Sequence, residues 1–417
     1  MNGDVAGGGD TPSWRALWRV FGRIGLLSFG GPAAQIALMQ AELVERTRWL
    51  SQAHFLRALS LCMLLPGPEA MQLATYAGWR LRGVAGGLLG GALFVLPGAA
   101  VIAALAGIYL AYGTQPGVQA AFTGVKAAVI VIVVQALRNV ARRALTGPLA
   151  LGLAAFAFLA LFVFALPYPL VIAVAAAIGA LRPAEAAAPA APPARANTGA
   201  TLALWGTLWA APLILVWLLD ADFLLQVGLF FSRLAAVTFG GAYAVLAYMS
   251  QEIVQEYGWI ETGQMIDALG LAETTPGPLI LVTQFVAMLA GHAQGGASGA
   301  VAAGLIALWV TFVPCFLWIF LAGPFLDAIA ARPRVAAALQ GITAAVVGVI
   351  LNLSLWFALH VLFDSGVPGL GTLDPVAAAL TLLAGAWLLG LRRSLPETLA
   401  LCAGAALAVW ALGGSLG

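Results

Sequence analysis

The 417-residue chain is 62% hydrophobic and 9% charged, with a formal net charge of +2 and a mean hydropathy of +0.98. Soluble domains carry about 25% charged residues, so this composition excludes an ordinary soluble protein and points to one embedded in a bilayer. The basic residues are scattered over loops, which gives no footprint for nucleic acid, and the lack of strand-like alternation argues against an outer-membrane barrel.

Residues 1–13 form a polar, Gly-rich tail without the basic start, apolar core and cleavage site of a signal peptide, so insertion is expected to use the first hydrophobic segment. Crossings are expected near 24–41 and 51–81, then over 83–112, 118–137 and 149–166, with a return from Pro167-Tyr168-Pro169 to residue 181. This first repeat, 14–181, holds roughly six spans. Residues 182–200 are Ala- and Pro-rich and read as a cytoplasmic linker. Residues 201–219 add one crossing that ends at Asp220 and Asp222, and the second repeat occupies the remainder of 201–417. The expected fold is an all-α polytopic membrane protein of about thirteen helices.

Arginine placement sets the orientation, because cytoplasmic loops carry the excess of basic residues. Clusters at Arg15/Arg19/Arg23, Arg80/Arg82, Arg138/Arg142/Arg143, Arg182/Arg195, Arg332/Arg334 and Arg392/Arg393 are placed inside. The single added crossing then inverts the second half relative to the first. Arg46 and Arg48 fall outside under this scheme, beside Glu42 and Glu45.

The halves repeat each other. Phe29-Gly30-Gly31 returns as Phe239-Gly240-Gly241, and Pro66-Gly67-Pro68 as Pro276-Gly277-Pro278, at the same offset of 210 residues. Arg23 and Arg233, Met39 and Met249, Glu42 and Glu252, and Trp49 and Trp259 share that register; Pro97 matches Pro314 and Gly124 matches Gly341 after a short insertion. Matched Gly/Pro breaks in duplicated hydrophobic halves point to a secondary transporter with its site at the breaks. Pro68 suits the first position of a half-helix, which leaves the N–H groups of Glu69, Ala70 and Met71 to face an anion. Leu279, Ile280 and Leu281 do the same in the second half. A proline kink made for packing is the plainer alternative.

Gly30, Gly31, Gly67, Gly240, Gly241 and Gly277 permit close backbone approach, of a ligand or of a neighbouring helix. Ser28, Gln72, Thr75, Thr238, Thr274 and Thr275 are candidate polar contacts to the same anion. Lys126 is the only lysine, and its counterpart is Thr343. An intramembrane charge is functional by default, so Lys126 reads as an attractor of the anion, with snorkelling as the alternative. Glu69 and Glu273 are candidates for proton coupling; Glu69 also serves as a plain cap in the dipole of its half-helix. Arg57 aligns with Asp267, which reads as a structural ion pair.

Cys62, Cys315 and Cys402 lie in apolar runs and read as small core residues. His54, His292 and His360 are too dispersed for a metal site, and no nucleotide loop or catalytic constellation is visible, so neither cofactor nor enzyme chemistry is expected.

The run Pro66-Gly67-Pro68-Glu69-Ala70-Met71-Gln72-Leu73-Ala74-Thr75-Tyr76, with Phe29-Gly30-Gly31 and Ala272-Glu273-Thr274-Thr275-Pro276-Gly277-Pro278, resembles the chromate ion transporter family in its long, two-domain form. The resemblance covers about residues 14–412. It implies proton-gradient-driven export of chromate, chromate resistance, and a place in the bacterial inner membrane. The implied partners are chromate, protons and the lipid bilayer, with oligomerisation left open. A carrier of sulfate or of oxyanions in general, and an uncoupled channel or scaffold, stand as alternatives.

Overall fold

The computed structural model describes residues 11–29, 31–182, 197–239, 242–330, 332–363, 366–369 and 372–413. These are helical throughout, with no strand among them beyond one isolated bridge between Phe363 and Leu373. Five stretches are long and apolar enough to cross a membrane: Glu69–Tyr112, Pro116–Ala144, Thr198–Leu218, Leu279–Phe325 and Pro333–Leu362. Shorter apolar helices accompany them, as suits an all-α, multi-pass membrane protein. Two compact units form, and each draws on both sequence repeats: one is 1–103, 178–242 and 275–339, the other 104–177, 243–274 and 340–417.

The first unit opens with α1 (Trp14–Leu27) and α2 (Gly31–Gln40), which runs on into a π-helical turn, Ala41–Arg46. Ser13 caps α1 by accepting from the Ala16 N–H at 3.2 Å. The chain folds back between the two helices. Arg23 Nε in α1 lies 3.2 Å from Glu42 Oε1, and Glu42 also holds Arg46. Nineteen residues of continuous helix would separate Arg23 and Glu42 by about 28 Å.

α3 (Gln52–Leu64) and the start of α4 (Glu69–Tyr112) repeat the manoeuvre. His54, in the first turn of α3, stacks on Tyr76 of α4 with centroids 5.8 Å apart, and its Nε2 is 3.0 Å from the Tyr76 hydroxyl. The two helices are therefore antiparallel about Leu65–Pro68, with Gly67 at φ +114° in the tip. Segment 51–81, expected as one crossing, instead enters and leaves at the same end. The expected span 24–41 is likewise not one helix, since α1 ends at Leu27 and α2 begins at Gly31.

α4 then reverses once more. Arg82 and Gly83 leave the helical region, Gly83 at φ +62°. A methyl group on Gly78 would overlap the Gly86 carbonyl, and one on Gly90 the Ala74 carbonyl, so 69–81 and 84–112 run antiparallel in near backbone contact. Without a hydrophobic force between helices in lipid, small residues of this kind set how closely helices pack. α12 (Val282–Ala322) copies the turn at Gly295 and Gly296, with Gly291 against Gly299. The same unit holds α8 (Thr198–Leu218), α9 (Asp222–Val237) and α13 (Leu326–Ala330); α12 packs on α8 and α9.

The second unit is built on α5 (Pro116–Ala144) and α14 (Pro333–Leu362), with α6 (Pro148–Phe162), α7 (Tyr168–Ala180), α10 (Ala242–Met249), α11 (Thr262–Glu273), α15 (Pro375–Gly385) and α16 (Leu395–Ala411). α5 packs on α15, α16 and α11. Gly124 meets the Cys402 backbone, and Gly348 of α14 meets Ala154 of α6, so each repeat's long helix packs on a shorter helix of the other repeat. Ala128, Val131, Ile132, Leu388, Leu399 and Cys402 form a core cluster here. All three cysteines are buried and free, as expected of small core residues.

Candidate substrate site

The four chain breaks differ in what they leave exposed. In the first unit the Gly67 N–H donates to the Thr238 carbonyl at 2.9 Å, and the Gly277 N–H donates to the Ser28 carbonyl at 2.8 Å. Residues 67 and 277, and 28 and 238, are repeat mates, so the two bonds are reciprocal: each repeat's Pro-Gly-Pro tip ties the residue just after the other repeat's first helix. The tips also seat on the opposite repeat's long helix. A Cβ on Gly67 would lie 2.9 Å from Cys315 Sγ, and one on Gly277 3.4 Å from the Phe94 carbonyl and 3.5 Å from Gly98 Cα. With Gly277 at φ +86°, only glycine makes both approaches without strain.

These tips enclose a small cavity lined by Pro32, Gln35, Gly67, Pro68, Glu69, Ala70, Thr238, Ala242, Pro278, Leu279 and Ile280. It admits about one water-sized sphere. Two helical N-termini face it, α4 at Glu69 and Ala70 and the 3₁₀ turn Leu279–Leu281 ahead of α12. Each follows a proline, and the first N–H groups of each have no acceptor in their own helix. Such ends carry roughly half a positive charge. No arginine or lysine is among the lining residues; Glu69 is the one ionisable side chain there.

The family model described as Chromate transporter matches residues 15–180 and 225–410. The chain belongs to the chromate transporter family. Its relatives include a chromate transport protein of Cupriavidus metallidurans, 31% identical over 342 residues (82% of this chain, 81% of the relative). One from Pseudomonas aeruginosa is 34% identical over 353 residues (81% and 79%), and a probable chromate transport protein of Synechococcus elongatus is 29% identical over 416 (93% of each). No solved structure matches. This chromate transporter family member is a transport protein, not an enzyme.

Of the residues expected to touch the anion, Gly67 and Thr238 line the cavity, as does Glu69, one of the two expected to carry its proton. Gly277 precedes the lining residue Pro278, at the tip that bonds Ser28. Gly31 takes φ +80° at the first break, where the positive φ suits the turn. Gly30, Gly240 and Gly241 lie outside the described residues. The hydroxyls are turned into their own helices: Ser28 Oγ donates to the Ile24 carbonyl (2.6 Å), Thr238 Oγ1 to Leu234 (2.5 Å), Thr75 Oγ1 to Met71 (3.0 Å) and Thr274 Oγ1 to Leu271 (2.7 Å). Gln72 Nε2 donates to the Pro66 carbonyl at 2.7 Å and so braces the tip. Thr275 is buried.

Two further charges lie in the second unit. Lys126 Nζ is 3.6 Å from Asp267 Oδ1, and the Tyr109 hydroxyl donates to Asp267 Oδ2 at 2.8 Å. Lys126, expected to attract the anion, thus meets a carboxylate of its own. Asp267, aligned with Arg57 by the repeat, has that lysine as its charged partner within the unit; Arg57 Nη2 stands 3.5 Å from His54 Nδ1. Glu273 is buried and accepts from the Tyr243 hydroxyl at 2.6 Å. Reading the sequence missed Gln35, a buried cavity residue whose Nε2 donates to the Gly277 carbonyl at 2.7 Å. The signal was there: an amide among the apolar residues in the middle of α2, with Val245 as its repeat mate.

Proposed function

We propose that the protein is a secondary transporter that exports chromate across the cytoplasmic membrane, binding it at the cavity between the chain breaks. The observation that carries this reading is the convergence of two proline-led helix starts on one cavity in which Glu69 is the one ionisable side chain. A tetrahedral dianion suits such backbone donors. It is larger than the water-sized space present, so the tips part to admit it.

Glu69 then supplies the proton coupling, with Glu273 as the second candidate. Two unit charges about 5 Å apart repel by about 3 kcal/mol at an effective dielectric near 20, and a dianion doubles that. A hydrogen bond to a charged group returns only about 1.5–3 kcal/mol. The loaded cavity therefore requires Glu69 neutral, and the ionised carboxylate expels the anion. A proton leaving with chromate carries one net negative charge outward, which an inside-negative potential drives by about 2.3 kcal/mol per 100 mV.

The folded-back helix pairs also simplify the charge map. With α1–α2 and α3–α4 both entering from the cytoplasm, Arg46 and Arg48 join Arg15, Arg19, Arg80 and Arg82 on the inner face, and their exception to the positive-inside rule disappears. The added crossing α8 turns the second repeat over. About nine complete crossings and four re-entrant pairs result.

Backbone N–H groups do not themselves distinguish chromate from sulfate, which keeps a general oxyanion carrier as the second reading. Chromate flux into proteoliposomes, under an imposed potential or pH gradient and with sulfate as competitor, separates the two. Saturable, gradient-driven flux that sulfate barely inhibits supports the chromate exporter. Strong sulfate inhibition favours the general carrier, and unsaturable flux an uncoupled channel. In the same assay Glu69→Gln is expected to keep chromate binding and lose the pH dependence of flux; unchanged pH dependence removes Glu69 from coupling.

A further inference from the structure

Gln35 belongs at once to the cavity and to one of the two junctions that close it. Its side chain is 2% exposed, and Nε2 donates to the Gly277 carbonyl at 2.7 Å with the Ser28 carbonyl at 3.5 Å. The Ser28–Gly277 junction therefore carries a side-chain tie in addition to its backbone bond. In the sequence register the mate of Gln35 is Val245, and valine has no donor to offer. The symmetry of the repeats is broken at this side chain, as it is at Glu69 and Gln72, whose mates are Leu279 and Val282.

A buried amide does not leave its acceptor unless another takes its place, because an unmet donor costs the desolvation of the group. An anionic oxygen is the stronger acceptor, since charge-assisted hydrogen bonds exceed neutral ones about twofold. Gln35 lines the same cavity as Ala70 and Ile280, so an anion held by those helix starts comes within its reach. We propose that Gln35 is a ligand-operated latch: its Nε2 passes from the Gly277 carbonyl to an oxygen of a bound tetrahedral oxyanion, and this frees the Ser28–Gly277 junction. In the unloaded cavity the amide keeps that junction shut; in the loaded one it holds the anion. The mate position, Val245, has no donor for such a switch, and the amide at the Gly67 tip, Gln72, instead donates to the Pro66 carbonyl of its own repeat.

The inference rests on the cavity being the oxyanion site, and the test separates the two. The purified full-length protein and its Gln35→Val and Gln35→Glu variants are titrated with chromate, by heat of binding and by thermal midpoint, and their flux is measured in proteoliposomes. Gln35→Val copies the mate position. It is expected to fold, to bind chromate about tenfold or more weakly, and to raise KM in step while Vmax changes little. Gln35→Glu keeps the volume and serves if the valine variant fails to fold. Its carboxylate, facing Glu69 across the cavity, is expected to abolish binding at neutral pH and to restore it partly as pH falls, which a packing role does not do. Wild-type affinity in Gln35→Val, or pH-independent binding in Gln35→Glu, overturns the latch while leaving the site in place. Absence of chromate binding by the wild type overturns both.

Discussion

The hairpin tips of the first unit and the charged cluster of the second make opposite uses of polarity. The tips hold no formal positive charge among the residues that line their cavity; two helix starts face it, and the first N–H groups of a helix have no partner within it. The cluster holds the only lysine of the chain, yet Asp267 stands 3.6 Å from it and Tyr109 adds a hydrogen bond to that carboxylate. A lone intramembrane charge reads as a site until its partner is known. The comparison teaches that charge alone does not mark a site: Lys126 is met by a carboxylate of its own unit, whereas the cavity between the tips is faced by two helix starts.

Changing the tips gives the largest expected effect. Gly67→Val forces a branched side chain into φ +114°, against Cys315 Sγ. Backbone strain of this kind costs about 1–3 kcal/mol, and it falls on the donor that bonds Thr238. Chromate flux in proteoliposomes should drop by about tenfold or more while the protein still inserts; near-normal flux would move the site away from the tips.

Changing the cluster should affect stability more than transport. Asp267→Asn leaves Lys126 without its counter-charge. Loss of one partner of a buried pair costs about 3–5 kcal/mol, and the partial exposure of Lys126 reduces this to about 1–3 kcal/mol. The thermal midpoint should fall accordingly. The double variant Lys126→Met/Asp267→Asn should recover much of it, with chromate KM within about threefold of wild type. A tenfold or greater rise in KM for the double variant would return Lys126 to the substrate path.

The smallest effect is expected at Thr274, whose hydroxyl is spent on the Leu271 carbonyl and whose side chain is exposed. Thr274→Ala should change flux by less than about twofold, since surface substitutions of this kind lie within about 0.5 kcal/mol. A larger loss would widen the site beyond the cavity.

Much of this arrangement was legible in the sequence, and the illegible part has a physical cause. The duplication, the breaks and the membrane class follow from Pro-Gly-Pro and Gly-Gly recurring in apolar runs, because few residue types serve those backbone positions. The folding-back did not follow. Pro66-Gly67-Pro68 reads alike whether its flanking helices continue or reverse, and 51–81 is long enough for one crossing. Only the contact of His54 with Tyr76 decides it. One sign was present all the same: Arg46 and Arg48 broke the charge rule under unbroken crossings, and the proposed topology with the chain turned back removes that exception. The hydroxyl orientations were illegible for a similar reason, since Ser28, Thr75 and Thr238 donate to carbonyls of the preceding turn, an option that residue type alone does not reveal. Lys126 needed a partner 141 positions away in the chain, and pairing at that distance leaves no local pattern.

Anomalous scattering from chromium in chromate-soaked crystals tests the central claim most directly, because it locates the anion without any variant. The account predicts a peak between the helix starts, within hydrogen-bonding distance of the Ala70 and Ile280 N–H groups and of Gln35. A peak beside Lys126 and Asp267, with none at the tips, would contradict it.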